Sequence, residues 1–232
     1  MAVAGEDPYR SFITGEGEKD TEWRFGAPPN YDVVNRLFEA DRTNVWPLGS
    51  LEERVQRMVK TWEMELSHKV RPQDFKSVNL EKFTLSVNGR RGLTAAGIGE
   101  IGGSYNAFLQ TDLPKKLRIY DPEEETRDTS SREFLTTFPR GFAVEILQVY
   151  SGPPVVAYRF RHWSYMDGPF KGHAPTGELV QFSGIGIFHV DEDWRVEKVE
   201  LFYERGDFLS SFLKGAPLAH GEAAGACPFV SS

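Results

Sequence analysis

The sequence predicts an α+β fold in which helices cover one face of a strongly curved antiparallel sheet. Two observations support this. Apolar residues recur with the helical repeat in the first half of the chain, whereas apolar and polar residues alternate in much of the second half. Turn-forming Gly, Pro and Asp residues separate the alternating segments, as is typical of strands joined by hairpins. Helices followed by consecutive antiparallel strands form a two-layer domain.

The composition is that of a globular protein with no nucleic-acid or membrane partner. The 232 residues are 40% hydrophobic and the formal net charge is −7, which disfavours binding to nucleic-acid phosphates or anionic lipids. No apolar run approaches the roughly 18 residues that span a bilayer. The segment MAVAGEDPYRSF lacks the basic and apolar regions of a signal peptide, and the one cysteine, Cys227, forms no internal disulfide. We therefore expect a cytoplasmic protein.

The chain divides into three predicted segments. Residues 1–30 are polar and rich in Gly and Pro, and we expect an extended N-terminal arm. Residues 31–214 carry the helical and alternating patterns and form the α+β domain. Residues 215–232 contain Ala, Gly and Ser with few large apolar groups, which predicts a disordered tail.

The first elements of the domain are predicted helices. Residues 31–42 form the first, with Asn30 as its N-cap. The clearest helix spans 50–69, where Ser50 and Glu53 match a capping box. One apolar stripe follows this helix and faces the core. It consists of Leu51, Val55, Met58, Val59, Trp62 and Leu66.

The sheet follows from the alternating segments. A first strand at 82–89 precedes two further helical segments, in the second half of 93–111 and at 131–138. Four strands then run in succession, at 142–150, 155–165, 179–190 and 196–204. A long antiparallel sheet twists strongly, so we expect it to curl around helix 50–69 and enclose a pocket.

Strand 155–165 carries the strongest candidate for chemistry. One face of it is mostly apolar and therefore core-facing, and His162 lies at the end of that row. Histidine titrates near neutrality, which suits a general acid or base, although a histidine hydrogen-bonded in the core has the same pattern. The core-facing residues are Val156, Tyr158, Phe160, His162 and Ser164, and those of the other face are Ala157, Arg159, Arg161, Trp163 and Tyr165.

The turn after this strand adds two weaker candidates. Asp167 is placed to orient His162, and His173 lies at the same end of the sheet. A side chain bonded to its own turn backbone is the simpler explanation for Asp167, and surface exposure is the simpler explanation for His173. A zinc or iron site made from the three residues matches no known ligand spacing, so we predict neither metal nor cofactor.

A predicted pocket lies between helix 50–69 and the sheet. Gly184 and Gly186 lie two apart on one strand face, which indicates a bend, close approach by another group, or room in the pocket. Plain core packing is the alternative role for the large side chains around this space. The candidate lining residues are Met58, Trp62, Tyr105, Tyr158, Phe160, Phe182 and Phe188.

The segment GPFKGHAPTG at 168–177 resembles the G-x-F-x-G-x-x-P-T-G motif of SnoaL-like polyketide cyclases. These belong to the cone-shaped superfamily of nuclear transport factor two and ketosteroid isomerase. Segments along residues 8–214, among them FPRGFAVEILQVYSGPPVVAYRFRHW, resemble the plant pathogen-related protein family. The resemblance implies a SnoaL-like fold, a defence context and, for cyclases, a carboxylate or histidine base without a cofactor.

Two functions are consistent with these patterns. In the first, the cone binds a small apolar, oxygenated metabolite and isomerises, cyclises or dehydrates it, with His162 transferring the proton. In the second, the protein binds a ligand or a partner without turnover. The sheet face that carries Arg159, Arg161, Trp163 and Tyr165 is then a candidate homodimer surface.

Overall fold

The structure is a computed structural model that describes residues 7–218. The predicted disordered tail therefore lies mostly outside the described residues, as does Cys227. The helices are α1 Asp32–Asp41, α2 Leu51–His68, α3 Ala95–Glu100, α4 Ser104–Phe108, α5 Arg127–Thr137 and α6 Arg205–Ser210. The strands are β1 Thr84–Val87, β2 Ala143–Ser151, β3 Val155–Tyr165, β4 Leu179–Val190 and β5 Val196–Tyr203.

The predicted fold class is confirmed. Five strands form one curved sheet in the order β1-β5-β4-β3-β2, and helices cover it. Strands β2 to β5 form an antiparallel meander, whereas β1 pairs in parallel with β5. The parallel pairing arises because the helical segments of the chain intervene between β1 and the meander, so β1 is not joined to β5 by a hairpin.

Helix α2 is the main helical layer over the sheet. Ser50 accepts a hydrogen bond from the Glu53 amide at 3.2 Å, which is half of the predicted capping box. The Glu53 carboxylate does not bond back to the cap but accepts from Arg57 Nε at 3.2 Å. The apolar stripe of α2 packs against the sheet, where Trp62 is fully buried between Phe108 and Phe188.

The apolar interior has two layers. The first, the base cluster, joins α2 to the middle of the sheet, and its members include Val55, Met58, Val59, Trp62, Tyr158, Phe160, Phe188 and Val199. The second, the cap cluster, joins α5, α6 and the segment after β3. Its members are Leu109, Tyr120, Phe134, Phe138, Met166, Phe170, Val180, Phe208, Leu209 and Phe212. Phe108 and Phe182 are only half-buried and pack against both clusters, so they mark a seam between the layers.

Helix α1 packs on the opposite face of β2 and β3. Trp163 points away from the base cluster because side chains alternate along a strand, and it lies against Phe38 of α1 at 6.2 Å between ring centroids. Its exposed fraction is 0%. The expectation that Trp163 is exposed on the homodimer face is therefore wrong, because the chain's own first helix covers that part of the face.

The segment before α1 is tied to α2 by buried charges. Lys69 is fully buried, and its Nζ lies 2.9 Å from Glu18 and 2.8 Å from Glu65. The Arg24 guanidinium donates to the Ser67 and Lys69 carbonyls at the C-terminal end of α2, where carbonyl groups lack helical partners. These contacts hold the far end of α2 in place.

Candidate active site

A His–Glu pair lies where α2 meets β3. His162 Nε2 is 3.0 Å from Glu63 Oε1, within hydrogen-bonding distance. The side chains are 17% and 28% exposed, so the pair is accessible at its edge but not fully solvated. A carboxylate that holds an imidazole in one orientation is the usual arrangement of a general acid–base site.

Aromatic rings fix the His162 side chain. Phe182 stacks on it nearly parallel, with centroids 5.3 Å apart and an angle of 8°. Phe160 presents an edge at 5.5 Å, and Phe142 lies tilted at 5.8 Å. Because Phe182 also borders the seam, the pair sits where the base and cap clusters meet.

Three further donors lie around the same interior. Burial, and then the Glu63 carboxylate, raise the pKa of Tyr105 to about 12 and the pKa of Tyr158 well above its usual range. Both hydroxyls are therefore protonated at neutral pH. Among residues 7–218 the buried Trp62 Nε1 has no hydrogen-bond partner. Of these three side chains Tyr105 lies beside the seam, where its hydroxyl can donate to a ligand oxygen.

Asp167 and His173 lie in other contacts. Asp167 forms a two-pronged ion pair with Arg140, at 2.5 and 2.8 Å. The ring Nδ1 of His173 lies 3.0 Å from the carbonyl oxygen of Gly215 and thereby holds the C-terminal segment. In the described part of the chain no hydrogen bond or ion pair joins either residue to His162. The structure thus pairs His162 with Glu63, a residue that the sequence analysis missed.

The sequence holds one signal for Glu63. It lies one helical turn after Val59 and almost one turn before Leu66, so it interrupts the apolar side of α2 with a carboxylate. A charge within an apolar stripe requires a partner when it is partly buried. The partner here comes from a strand that lies about a hundred residues further along the chain, which periodicity does not reveal.

The predicted lining residues are present, but most of them fill the interior. Met58, Trp62, Tyr158, Phe160 and Phe188 are buried in the base cluster. Tyr105 and Phe182 are half-buried next to the seam.

The two glycines of β4 leave no empty space over the sheet. Gly186 pairs with Tyr158 and Gly184 pairs with Phe160. A Cβ at Gly186 would lie 2.3 Å from Tyr158 Cζ, and one at Gly184 would lie 2.6 Å from Phe160 Cζ. The rings of the neighbouring strand therefore occupy the space that the glycines provide.

Neither His162 nor Glu63 lines either of two surface depressions. One of about 480 Å³ is lined by Arg161 and Gln181 and also by Phe182, whose ring stacks on His162. The other, of about 160 Å³, lies between Tyr9 and α2. Among residues 7–218 no group of three or more His, Cys, Asp or Glu side chains is arranged to hold a metal ion. In the same range no helix is long and apolar enough to cross a membrane.

The fold and the site define an α+β protein with a His–Glu pair set among aromatic side chains. The chain is 59% identical over 231 residues to the pathogen-related protein of Hordeum vulgare, an alignment that covers 99% of this chain and 97% of that protein. The chain therefore belongs to the pathogen-related protein family. No profile of a known protein family matches it.

Solved structures of low sequence identity are also similar. A protein assigned as a polyketide cyclase from Acidithiobacillus ferrooxidans has a TM-score of 0.43 at 14% identity, with 74% of this chain and 100% of that chain covered. One assigned as a SnoaL-like polyketide cyclase from Jannaschia has a TM-score of 0.40 at 14% identity, with the same coverage. AclR of Streptomyces galilaeus, assigned as a hydroxylase, has a TM-score of 0.42 at 16% identity and covers 70% of this chain and 97% of its own.

Proposed function

We propose that this protein binds a small apolar, oxygenated metabolite at the seam and transfers a proton on it through His162 and Glu63. The observation that carries the proposal is the 3.0 Å contact between His162 Nε2 and Glu63 Oε1 at the edge of an aromatic interior. The reaction class is isomerisation, cyclisation or dehydration, each of which needs a positioned acid–base group. The proposal invokes no cofactor.

The surroundings of the pair support a ligand of this kind. Aromatic rings at the seam offer flat apolar contact, which favours a ring-containing molecule. The Tyr105 hydroxyl, on a half-buried residue beside the seam, can donate a hydrogen bond to a carbonyl or hydroxyl oxygen, whereas Tyr158 and Trp62 are buried in the filled base cluster. Neutral tyrosine hydroxyls are good donors to oxygen that gains negative charge during proton abstraction.

The test begins with native mass spectrometry of the protein purified from plant tissue, to identify a metabolite that copurifies. Turnover of that metabolite is then compared between the native protein and the variants His162→Gln and Glu63→Gln. Loss of a general acid–base group reduces the rate by about 100-fold or more, while binding through the aromatic walls remains.

A second His–Glu pair supplies a matched control. His189 Nε2 lies 3.5 Å from Glu200 on the outer face of the sheet, away from the seam. We expect His189→Gln to retain full turnover. Equal activity in His162→Gln and the native protein would refute the catalytic proposal.

A non-catalytic carrier is the second proposal. It is favoured by the filled base cluster and by the pairing of Asp167 with Arg140, which leaves His162 with one carboxylate partner. The His–Glu contact is then an ion pair at the rim of an aromatic core. The carrier proposal predicts a copurifying metabolite that the native protein binds and leaves unchanged.

We also propose that the outer face of β4 and β5 pairs with a second copy of the chain. Ile185 and Phe202 lie opposite each other there, next to Ile187, and Phe202 is 39% exposed. Phe202→Lys together with Ile187→Lys then converts a dimer to a monomer in light-scattering measurements of mass. Val45→Lys is the control, since Val45 is an exposed apolar residue in the loop between α1 and α2. A native protein that is already monomeric would contradict the dimer.

The family relationship supports a biological context. The relative from Hordeum vulgare is called a pathogen-related protein, and we propose a role in plant defence for this chain. The acidic composition and the single cysteine support action in the cytoplasm. Localisation of a fluorescent fusion in infected and healthy leaves tests both points.

A further inference from the structure

The last described segment covers the seam beside His162. We call residues 205–218 the C-terminal strap; it consists of α6, the short helix Ser211–Leu213 and an extended end. Phe208 of the strap lies 4.5 Å from Phe182 and 5.8 Å from Phe142, measured between ring centroids. These are two of the three phenylalanines that surround the His162 ring.

The strap is fixed differently at its two ends. At its start, Arg205 donates to the Leu109 and Tyr120 carbonyls, which fastens the strap to the loop after α4. At its far end, residues 215–218 bond to the turn after β3 and not to the sheet. The bonds run from the Ala174 amide to the Ala216 carbonyl at 2.9 Å and from the Leu218 amide to the Gly172 carbonyl at 2.7 Å.

The far end fits closely on this turn. Gly215 is buried, and a Cβ there would lie 1.9 Å from the Ala174 carbonyl oxygen. The His173 ring bonds to the Gly215 carbonyl. We call residues 215–218 the latch, and it tolerates only glycine at position 215. The two short helices between Arg205 and the latch have little stability of their own and are held by burial of Leu209 and Phe212 in the cap cluster.

We propose that the C-terminal strap is a lid that swings about Arg205 and opens the seam to a ligand when residues 215–218 leave the turn. The His162 side chain is exposed only at its edge and the base cluster is filled, so a ring-containing ligand can stack beside His162 only if an aromatic wall moves. Phe208 is the cap residue that touches both Phe142 and Phe182, and its departure uncovers them without disturbing any strand pairing. This inference rests on the proposed function of the His162 site.

The experiment measures access to His162 by its rate of modification with diethyl pyrocarbonate, followed by peptide mass spectrometry. His189 is the internal reference, because its side chain is 37% exposed on the outer face of the sheet. All proteins compared carry Phe202→Lys and Ile187→Lys, so that no second copy of the chain covers this face. Gly215→Ala releases the latch through the clash with Ala174. We expect the ratio of His162 to His189 rates to rise roughly threefold or more.

Two further variants, a control and a second way of opening the seam, complete the experiment. Gly152→Ala is the matched control, since a Cβ there lies 3.5 Å from the nearest atom, in ordinary contact, at the other end of the sheet. Phe208→Ala removes the ring that contacts Phe142 and Phe182, whether or not residues 215–218 leave the turn. We expect it to raise the same ratio of His162 to His189 modification rates. A ratio that stays at the native value in both Gly215→Ala and Phe208→Ala would overturn the lid, whether or not the latch is released.

Ligand binding is a separate readout. If the ratio rises but no metabolite binds the native protein, the lid stands and the proposed function fails. If a metabolite binds while the ratio is unchanged in both variants, the site stands and the lid fails. With both present, the two variants bind the metabolite with a faster association rate than the native protein.

Discussion

Gly186→Ala tests whether the base cluster is fully packed, with no cavity between its side chains. The added methyl group would lie 2.3 Å from Tyr158 Cζ and 2.5 Å from its hydroxyl oxygen. Tyr158 is fully buried against Phe188, at 5.4 Å between ring centroids, and cannot swing into solvent. Overpacking of this kind costs about 1–3 kcal/mol of unfolding free energy. For a chain of this size the midpoint of thermal unfolding then falls by roughly 2–12 °C.

The assay is a double-mutant cycle in urea. In a Tyr158→Ala background the ring that clashes is absent, so the cost of Gly186→Ala falls by about 1–3 kcal/mol relative to the native background. Gly99→Ala in α3 serves as control, because a Cβ there lies 3.5 Å from the nearest atom, which belongs to Arg127. In a helix, alanine is more stable than glycine by about 1 kcal/mol. An unchanged stability for Gly186→Ala, or equal costs in both backgrounds, would refute the packed base and indicate an open pocket.

Three further predictions concern stability. Trp163→Ala is expected to cost about 3–5 kcal/mol in urea unfolding because the ring is buried under α1, whereas Val45→Ala in the exposed loop between α1 and α2 stays within about 1 kcal/mol; equal costs would contradict the packing of α1. Burial lowers the pKa of His68 to about 4, below its unfolded value of about 6.5, so the unfolded chain binds more protons between these values and stability falls as pH drops from about 6.5 to 4. The loss amounts to roughly 3 kcal/mol, and His68→Gln removes this part of the pH dependence. Lys69→Met removes the buried cation from Glu65 and Glu18, which keep hydrogen bonds from Ser77 and an ion pair with Lys76, and it costs about 3–5 kcal/mol. It also increases trypsin cleavage before α1; unchanged stability and cleavage would contradict the buried charge network.

Local patterns explain why the strands and α2 were predicted well. The predicted strands 155–165 and 179–190 coincide with β3 and β4, since alternation and flanking turn residues are read within a few positions of the chain. The same holds for α2, whose Ser50 cap and apolar stripe are both local signals. Alternation also placed His162 on the inner face of β3, next to Phe160.

Long-range contacts account for what the sequence analysis missed. Nothing near Trp163 indicates that α1, which lies far earlier in the chain, would fold over it. Asp167 is near His162 in sequence, yet side chains at the end of a strand can point to different partners. Asp167 forms its ion pair with Arg140 and not with His162. Gly184 and Gly186 of β4 indicated space for a pocket, but the rings of Phe160 and Tyr158 on β3 fill that space.

The sequence by itself determined the order of helices and strands, the face on which His162 lies, and membership of the family. These properties depend on spacing along the chain. Only the tertiary structure decided that Glu63 meets His162, that the base is filled and that residues 205–218 cover the seam. Each of these is a contact between segments far apart in sequence, whose geometry is fixed by packing and not by local periodicity.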